Sequence, residues 1–174
     1  MDSSRRPPTR SERSQLGRAL TACWLAAATV LGVSPQRVLA RDYAVITNPR
    51  VPVDEISSGT LRRLFTLERQ FWKPGLPAIP LLPPNGSRTR AFLLSRVIRT
   101  DESGLRRMIL EKLYRAEIDL APKVTSEEDD AIAFVASSSG LFALVPATRA
   151  KGRPVKVLRI DGKLPGVAGY PLAD

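Results

Sequence analysis

The chain has no histidine, and its single cysteine, Cys23, lies near the amino terminus. Histidine is the usual base of Ser-His-Asp and Cys-His nucleophile pairs, so those pairs are excluded. Ordinary zinc sites use cysteine and histidine ligands, and an internal disulfide needs two cysteines, so neither is expected. An enzymatic function would depend on carboxylates such as Asp101 and Glu102, which no nucleophile or metal ligand accompanies. We therefore expect a non-enzymatic protein without a cofactor or a metal.

Long hydrophobic runs are also scarce. Residues 19–33 form an uncharged apolar run that is shorter than the roughly 20 residues of a membrane-spanning helix. Arginines precede this run, and Val38-Leu39-Ala40 follows it. The order of basic, apolar and small residues predicts a secretory signal peptide over residues 1–40, cleaved after Ala40. An uncleaved membrane anchor is the alternative. After cleavage we expect a periplasmic protein with no stable membrane insertion.

Acidic residues are fewer than basic ones, at 17 against 27. Six of the basic and two of the acidic residues lie in the predicted signal peptide, which leaves a net charge of about +6 on residues 41–174. This excess favours anionic ligands, and secretion argues against nucleic acid as a partner. The length of residues 41–174 suits one domain with one core.

Hydrophobic periodicity predicts helices that alternate with short apolar strands. Strands are expected at residues 42–47, 77–82, 141–145 and 154–160, with a turn carrying Phe71 and Trp72 before the second strand. Helices are expected from Asp54 to about Leu64, from Ser87 to Ile98, from Asp101 to about Ile118, and after a capping-box pair formed by Thr125 and Glu128. This alternation predicts an α/β fold with a mixed β-sheet flanked by helices.

The helix that begins at Ser87 carries the strongest candidate site. A helix start has unpaired N–H groups and a partial positive charge, both of which favour oxyanions. Arg88 and Arg90 oppose that charge, and such a departure from local preference often marks function. The plainer interpretation makes Ser87 a helix cap and Thr89 an ordinary residue of the first turn. The sequence leaves both interpretations open.

Three other features have a functional and a structural interpretation. Ser139 could present its hydroxyl to an anion, but the segment it shares with Gly140 reads more simply as a helix stop, with Gly140 suited to a left-handed conformation. The acidic run at residues 127–130 could bind a hard cation, but it is better explained as a complement to the positive end of its helix. Trp72 is expected in the core rather than stacked on a ligand.

Four short motifs follow one another along residues 42–172. They are Leu61-Arg62-Arg63-Leu64-Phe65, Trp72-Lys73-Pro74-Gly75, Gly86-Ser87-Arg88-Thr89-Arg90, and Ser139-Gly140-Leu141-Phe142-Ala143. Their order resembles that of the periplasmic phosphate-binding proteins of ABC transporters. The resemblance implies a single lobe of the type II periplasmic-binding-protein fold, in which helix starts and hydroxyl groups hold the ligand. The ligand-binding residues that it implies are Ser87, Arg88, Thr89, Arg90, Ser139 and Gly140.

The sequence also departs from that family. Family members are about twice this length by the usual domain size. Arg88 stands where the family motif has a glycine that admits the oxyanion, and Pro83 stands where an arginine is expected. Leu141-Phe142-Ala143 lacks the tyrosine of the corresponding motif. The resemblance therefore implies weak binding of phosphate or a similar oxyanion, linked to an ABC permease. The alternative is a ligand-free module that acts through protein contacts in the envelope.

Overall fold

The computed structural model describes residues 42–118 and 121–174 of the 174-residue chain. The predicted signal peptide lies outside the described residues. All of the described residues belong to one compact unit. Among them, no helix combines the length and the apolar character needed to cross a membrane.

Strands and helices alternate along the chain, as the sequence predicts. The strands are β1 (Tyr43–Thr47), β2 (Glu55–Ile56), β3 (Phe71–Lys73), β4 (Leu76–Pro77), β5 (Ile79–Leu82), β6 (Lys123–Val124), β7 (Leu141–Pro146), β8 (Lys156–Val157) and β9 (Arg159–Ile160). The helices are α1 (Ser58–Phe65), α2 (Arg88–Phe92), α3 (Glu102–Tyr114), α4 (Glu128–Ser137) and α5 (Ala147–Ala150). A π-helical segment, Leu93–Ile98, continues α2 without a break.

A five-stranded mixed sheet forms the centre of the fold, in the order β6-β5-β7-β1-β8. β5 runs parallel to β6 and β7, whereas β1 runs antiparallel to β7 and β8. The carboxyl ends of β5 and β7 and the amino end of β1 therefore share one edge of the sheet, which we call the site edge. The predicted mixed α/β fold is confirmed.

Helices cover both faces of the sheet. Because successive side chains of a strand point to opposite faces, each of the three central strands contributes to both apolar clusters. Tyr43 and Val45 of β1 pack in one apolar cluster with side chains of α1, α2 and α3. Ala44 and Ile46 pack on the other face with side chains of α4 and α5. All five residues of β1 are buried, which explains why its sequence reads as a continuous apolar run.

Two predicted helix starts are wrong in register. α1 begins at Ser58, and its cap is Ser57, whose Oγ accepts a hydrogen bond of 3.1 Å from the Thr60 N–H. Asp54, the predicted cap, instead accepts a hydrogen bond of 2.8 Å from Lys156 Nζ. At α4 the Glu127 N–H donates to the Asp130 carboxylate, so the capping box lies two residues beyond the predicted pair.

Two strand predictions also change because the chain changes partners. The strand predicted at residues 154–160 is divided: β8 pairs with β1, whereas β9 pairs in parallel with β2. The turn predicted around Trp72 is a two-stranded antiparallel hairpin formed by β3 and β4, and Gly75 supplies its positive φ of 80°. Trp72 is 2% exposed, and its ring packs edge-on against the Phe142 ring with a centroid distance of 5.2 Å. This agrees with the predicted core role.

Phe142 links the hairpin to α1, because its ring also packs against the ring of Phe65, with a distance of 5.0 Å between the ring centroids. Phe142→Ala would leave a cavity among side chains that cannot close over it, so we expect the free energy of unfolding to fall by about 3–5 kcal/mol. Urea unfolding followed by circular dichroism measures this. Phe134→Ala is the matched control, because Phe134 is 53% exposed and its loss should change stability by less than about 0.5 kcal/mol. Equal effects of the two substitutions would contradict this assignment of the core.

Candidate functional site

Ser87 begins α2 at the site edge. The turn after β5 is closed by the Ser87 N–H, which donates to the Pro84 carbonyl at 3.1 Å, and Gly86 has a positive φ of 76°. The Ser87 Oγ accepts a hydrogen bond of 3.0 Å from the Arg90 N–H. Ser87 is therefore a helix cap, and its oxygen already accepts a hydrogen bond from the Arg90 N–H, a donor that an anion at the helix start could otherwise use.

The Arg90 side chain is paired within the protein. Its guanidinium donates two parallel hydrogen bonds, each 2.8 Å long, to the Glu102 carboxylate and a third, of 3.2 Å, to the Pro83 carbonyl. The Arg90 side chain is only 6% exposed, and a buried cation needs such partners. The hydrogen bonds from Arg90 lower the pKa of Glu102 below its usual 4.5, against the opposing effect of burial. Arg90 thus ties α2 to the start of α3.

The Thr89 side chain is also hydrogen-bonded within the protein. It is 1% exposed, and its Oγ1 donates a 2.5 Å hydrogen bond to Glu128 Oε1. This bond joins the start of α2 to the start of α4 and places a carboxylate at the site edge. Asp129 of the same acidic run pairs with Arg149 and Arg153, at 3.0 and 3.2 Å. Side chains of the acidic run therefore form contacts with other parts of the fold. Among the described residues, no three His, Cys, Asp or Glu side chains are grouped so that they could hold a metal ion.

Arg88 differs from its neighbours. Its side chain is exposed, and no carboxylate of the described residues lies within ion-pair distance of its guanidinium. The N–H groups of Arg88 and Thr89 donate to no carbonyl or side chain in the part of the chain that the structure describes. Among the predicted residues at this helix start, Arg88 is the one that keeps a cationic group available.

Ser139 and Gly140 lie at the opposite edge of the sheet. Gly140 precedes β7, and its carbonyl accepts a hydrogen bond of 2.9 Å from the Ile79 N–H at the start of β5. Ser87 follows the far end of β5, so the two predicted groups do not converge on one site. The left-handed conformation predicted for Gly140 is wrong, because its φ is not positive. The glycine instead allows a close approach to β4: a Cβ there would make a tight contact of 3.3 Å with the Pro77 carbonyl oxygen.

Sequence reasoning missed the residues beside Arg88. A surface cavity of about 310 Å³ is lined by Tyr43, Arg88, Ala91, Phe92, Ser95, Arg96 and Asp174. The Tyr43 ring stacks on Phe92 with a centroid distance of 4.2 Å. Burial raises the pKa of the Tyr43 hydroxyl above its usual 10.0, and the nearby carboxylates of Asp174 and Glu128 raise it further, whereas Arg88 lowers it. The spacing of residues 88, 92 and 96 signals one helix face, but only the sheet pairing brings Tyr43 to it.

The fold is similar to that of solved phosphate-binding proteins. One is described as a phosphate ABC transporter substrate-binding protein from Clostridium perfringens, solved with bound phosphate (TM-score 0.58, 14% identity, covering 73% of this chain and 48% of that one). PstS from Borrelia burgdorferi matches with a TM-score of 0.57 and 13% identity, over 72% of this chain and 49% of that one. An ABC-type phosphate transport receptor from Vibrio cholerae matches with a TM-score of 0.56 and 14% identity, over 73% and 49%.

These similarities are confined to structure. No protein-family model and no curated protein matches the sequence. At such low identities the likeness shows the fold alone, and at that level the predicted resemblance is confirmed. The chain spans about half the length of the solved structures that it matches.

The contribution of the Arg90–Glu102 ion pair to stability can be tested by replacing Glu102. Because the folded state lowers the Glu102 pKa, the pair stabilises the protein at neutral pH, and this contribution disappears as the pH falls through the lowered pKa. Glu102→Gln should reduce the free energy of unfolding by about 1 kcal/mol at pH 7. The difference from the unsubstituted protein should shrink as the pH falls below 4.5. Urea unfolding at several pH values measures it.

Glu111→Gln is the control for this test, because Glu111 is an exposed carboxylate on the same helix. It removes the same charge without removing a partner of a buried cation. A stability difference for Glu102→Gln that stays constant with pH, or that Glu111→Gln reproduces, would contradict the ion-pair assignment.

Proposed function

We propose that the chain is a periplasmic substrate-binding-like protein that binds phosphate or a similar oxyanion weakly at the start of α2, in association with ABC-type phosphate transport. The observation that carries the proposal is the available guanidinium of Arg88 beside two unpartnered N–H groups. The fold supports it, because the similar solved proteins include phosphate transport receptors. In this proposal Arg88 supplies the charge and its N–H group supplies a directed hydrogen bond, whereas Thr89 is buried.

The chemistry of these groups suits an oxyanion. A guanidinium can donate two parallel hydrogen bonds to a phosphate, and a helix start adds N–H donors and partial positive charge. The side chains of Ser87, Thr89 and Arg90 contribute indirectly, because their contacts with Arg90 N–H, Glu128 and Glu102 fix the first turn. Ser139 and Gly140, at the other edge of the sheet, would not contact the same anion.

Two features limit the expected affinity. Arg88 is exposed, so water and salt screen its attraction for an anion. Glu128 places a carboxylate near the same helix start, where it repels a second anion. We therefore expect a dissociation constant in the millimolar range, which corresponds to about 4 kcal/mol of binding free energy.

Replacing Arg88 tests the proposal. We expect Arg88→Gln to weaken phosphate binding by about fivefold, the effect of about 1 kcal/mol from one exposed charge contact. Isothermal titration with phosphate and with sulfate at low ionic strength measures the effect. Arg62→Gln is the matched control, because Arg62 is an exposed arginine on α1 that does not line the cavity containing Arg88. Absence of phosphate binding by the unsubstituted protein, or equal weakening by both substitutions, would contradict the proposal.

One observation favours the alternative of a module that acts through protein contacts. Leu105 is the only fully buried residue of α3, and Leu110, Leu113 and Val124 are 46%, 37% and 49% exposed. If this apolar surface binds a protein, Leu110→Glu should abolish recovery of that protein from envelope extract, whereas Glu111→Gln should not. A partner that binds the unsubstituted protein and Leu110→Glu equally well would contradict this alternative.

A further inference from the structure

The cavity beside α2 contains two cations with no ion-pair partner among the described residues. Arg88 and Arg96 both line it, both are exposed, and neither lies within 4.0 Å of a carboxylate in residues 42–118 or 121–174. They are eight residues apart along α2 and the π-helical segment that continues it, so Arg96 lies about two turns beyond Arg88 on the same side. One phosphate group held by Arg88 at the helix start would leave Arg96 without a ligand contact.

Tyr43 lines the same cavity, and its ring stacks on Phe92, which lies between the two arginines along the helix. It is 7% exposed, and its hydroxyl makes no hydrogen bond to any side chain or carbonyl of the described residues. The hydroxyl oxygen is not among the fully buried unpaired polar atoms of the described residues, so it reaches the surface of the cavity while the ring stays buried. The ordinary pKa of a tyrosine hydroxyl, 10.0, already keeps it protonated at neutral pH, and burial raises the pKa of Tyr43 further, so Tyr43 presents a neutral donor to the cavity.

The remaining lining residues decide how much charge the cavity carries. The Ser95 hydroxyl donates back to the Ala91 carbonyl at 2.8 Å, so its proton is already used. Asp174 places a carboxylate in the lining, which offsets part of the positive charge of the two arginines. Glu128 reaches the neighbourhood of Tyr43 from α4. A ligand that engages both arginines gains a second charge contact, which helps to offset these carboxylates.

We propose that this cavity binds a linear oligophosphate, with its end phosphates on Arg88 and Arg96 and a bridging segment on the Tyr43 hydroxyl. An oligophosphate carries acceptor oxygens along its whole length, whereas a dicarboxylate has none between its ends. Phosphate groups also match the paired donors of a guanidinium. The proposal rests on the proposed function, because Arg88 belongs to both sites, and it adds Arg96 and Tyr43 as residues that act only on the longer anion.

The experiment compares orthophosphate, tripolyphosphate and glutarate by isothermal titration at low ionic strength. We expect tripolyphosphate to bind at least about fivefold more tightly than orthophosphate, the gain from a second exposed charge contact. Arg96→Gln should remove this gain and leave orthophosphate binding unchanged, whereas Asp174→Asn should strengthen tripolyphosphate binding. ATP replaces tripolyphosphate in a second titration, to distinguish a free inorganic chain from the phosphate tail of a nucleotide. Circular dichroism checks that each variant is folded.

The outcomes separate this proposal from the proposed function. If Arg96→Gln and the control Arg62→Gln weaken tripolyphosphate binding equally, the attraction is general to the basic surface and the proposal is overturned. Tripolyphosphate binding no tighter than that of orthophosphate or glutarate also overturns it. Orthophosphate binding that depends on Arg88 would survive either result. Conversely, tripolyphosphate binding that depends on Arg96, without orthophosphate binding, would support the oligophosphate site and overturn the proposed function.

Discussion

The antiparallel pairing of β1 with β7 is the constraint on which the rest of the structure depends. Tyr43 pairs with Pro146 and Thr47 pairs with Phe142, so a strand near the start of the described residues is fixed against one about a hundred residues later. Because β7 is also parallel to β5, this register brings the start of β1 to the same edge as the start of α2. It also directs alternate side chains of β1 to the two apolar clusters on opposite faces of the sheet. The cavity at α2 exists because of this one register.

The helix start at Ser87 shows how packing selects among polar side chains that look equivalent in the sequence. Two arginines occur within three residues, yet one is buried against Glu102 and the other faces solvent. A buried guanidinium must be paired, so Arg90 stabilises the junction of α2 and α3. Thr89 is used in the same way by Glu128. The free charge that remains belongs to Arg88 and, two turns later, to Arg96.

The likeness to phosphate transport receptors concerns one half of those proteins, since the chain covers 48–49% of their lengths. An anion at the site edge would meet one wall of groups, supplied by α2, α4 and β1, in the part of the chain that the structure describes. Charge on such an exposed wall is screened, which favours weak binding of a small anion over tight binding. An extended anion is less affected, because each additional contact adds to the same binding event.

The sequence by itself determined the alternation of strands and helices, the start of a helix at Ser87, the buried role of Trp72 and the mixed α/β fold. These follow from local patterns: the spacing of apolar residues, capping chemistry and turn residues. It did not determine where α1 begins, because Ser57 and Asp54 are equally good caps by type, or that residues 154–160 divide between two sheets. Only the tertiary structure decided that Ser139 lies at the opposite edge from Ser87, that Arg90 is paired and that Tyr43 faces Arg88. The positions of Ser139 and Tyr43 depend on which strands pair and in which direction, and the pairing of Arg90 depends on how α3 packs against α2. No local pattern in the chain encodes either choice.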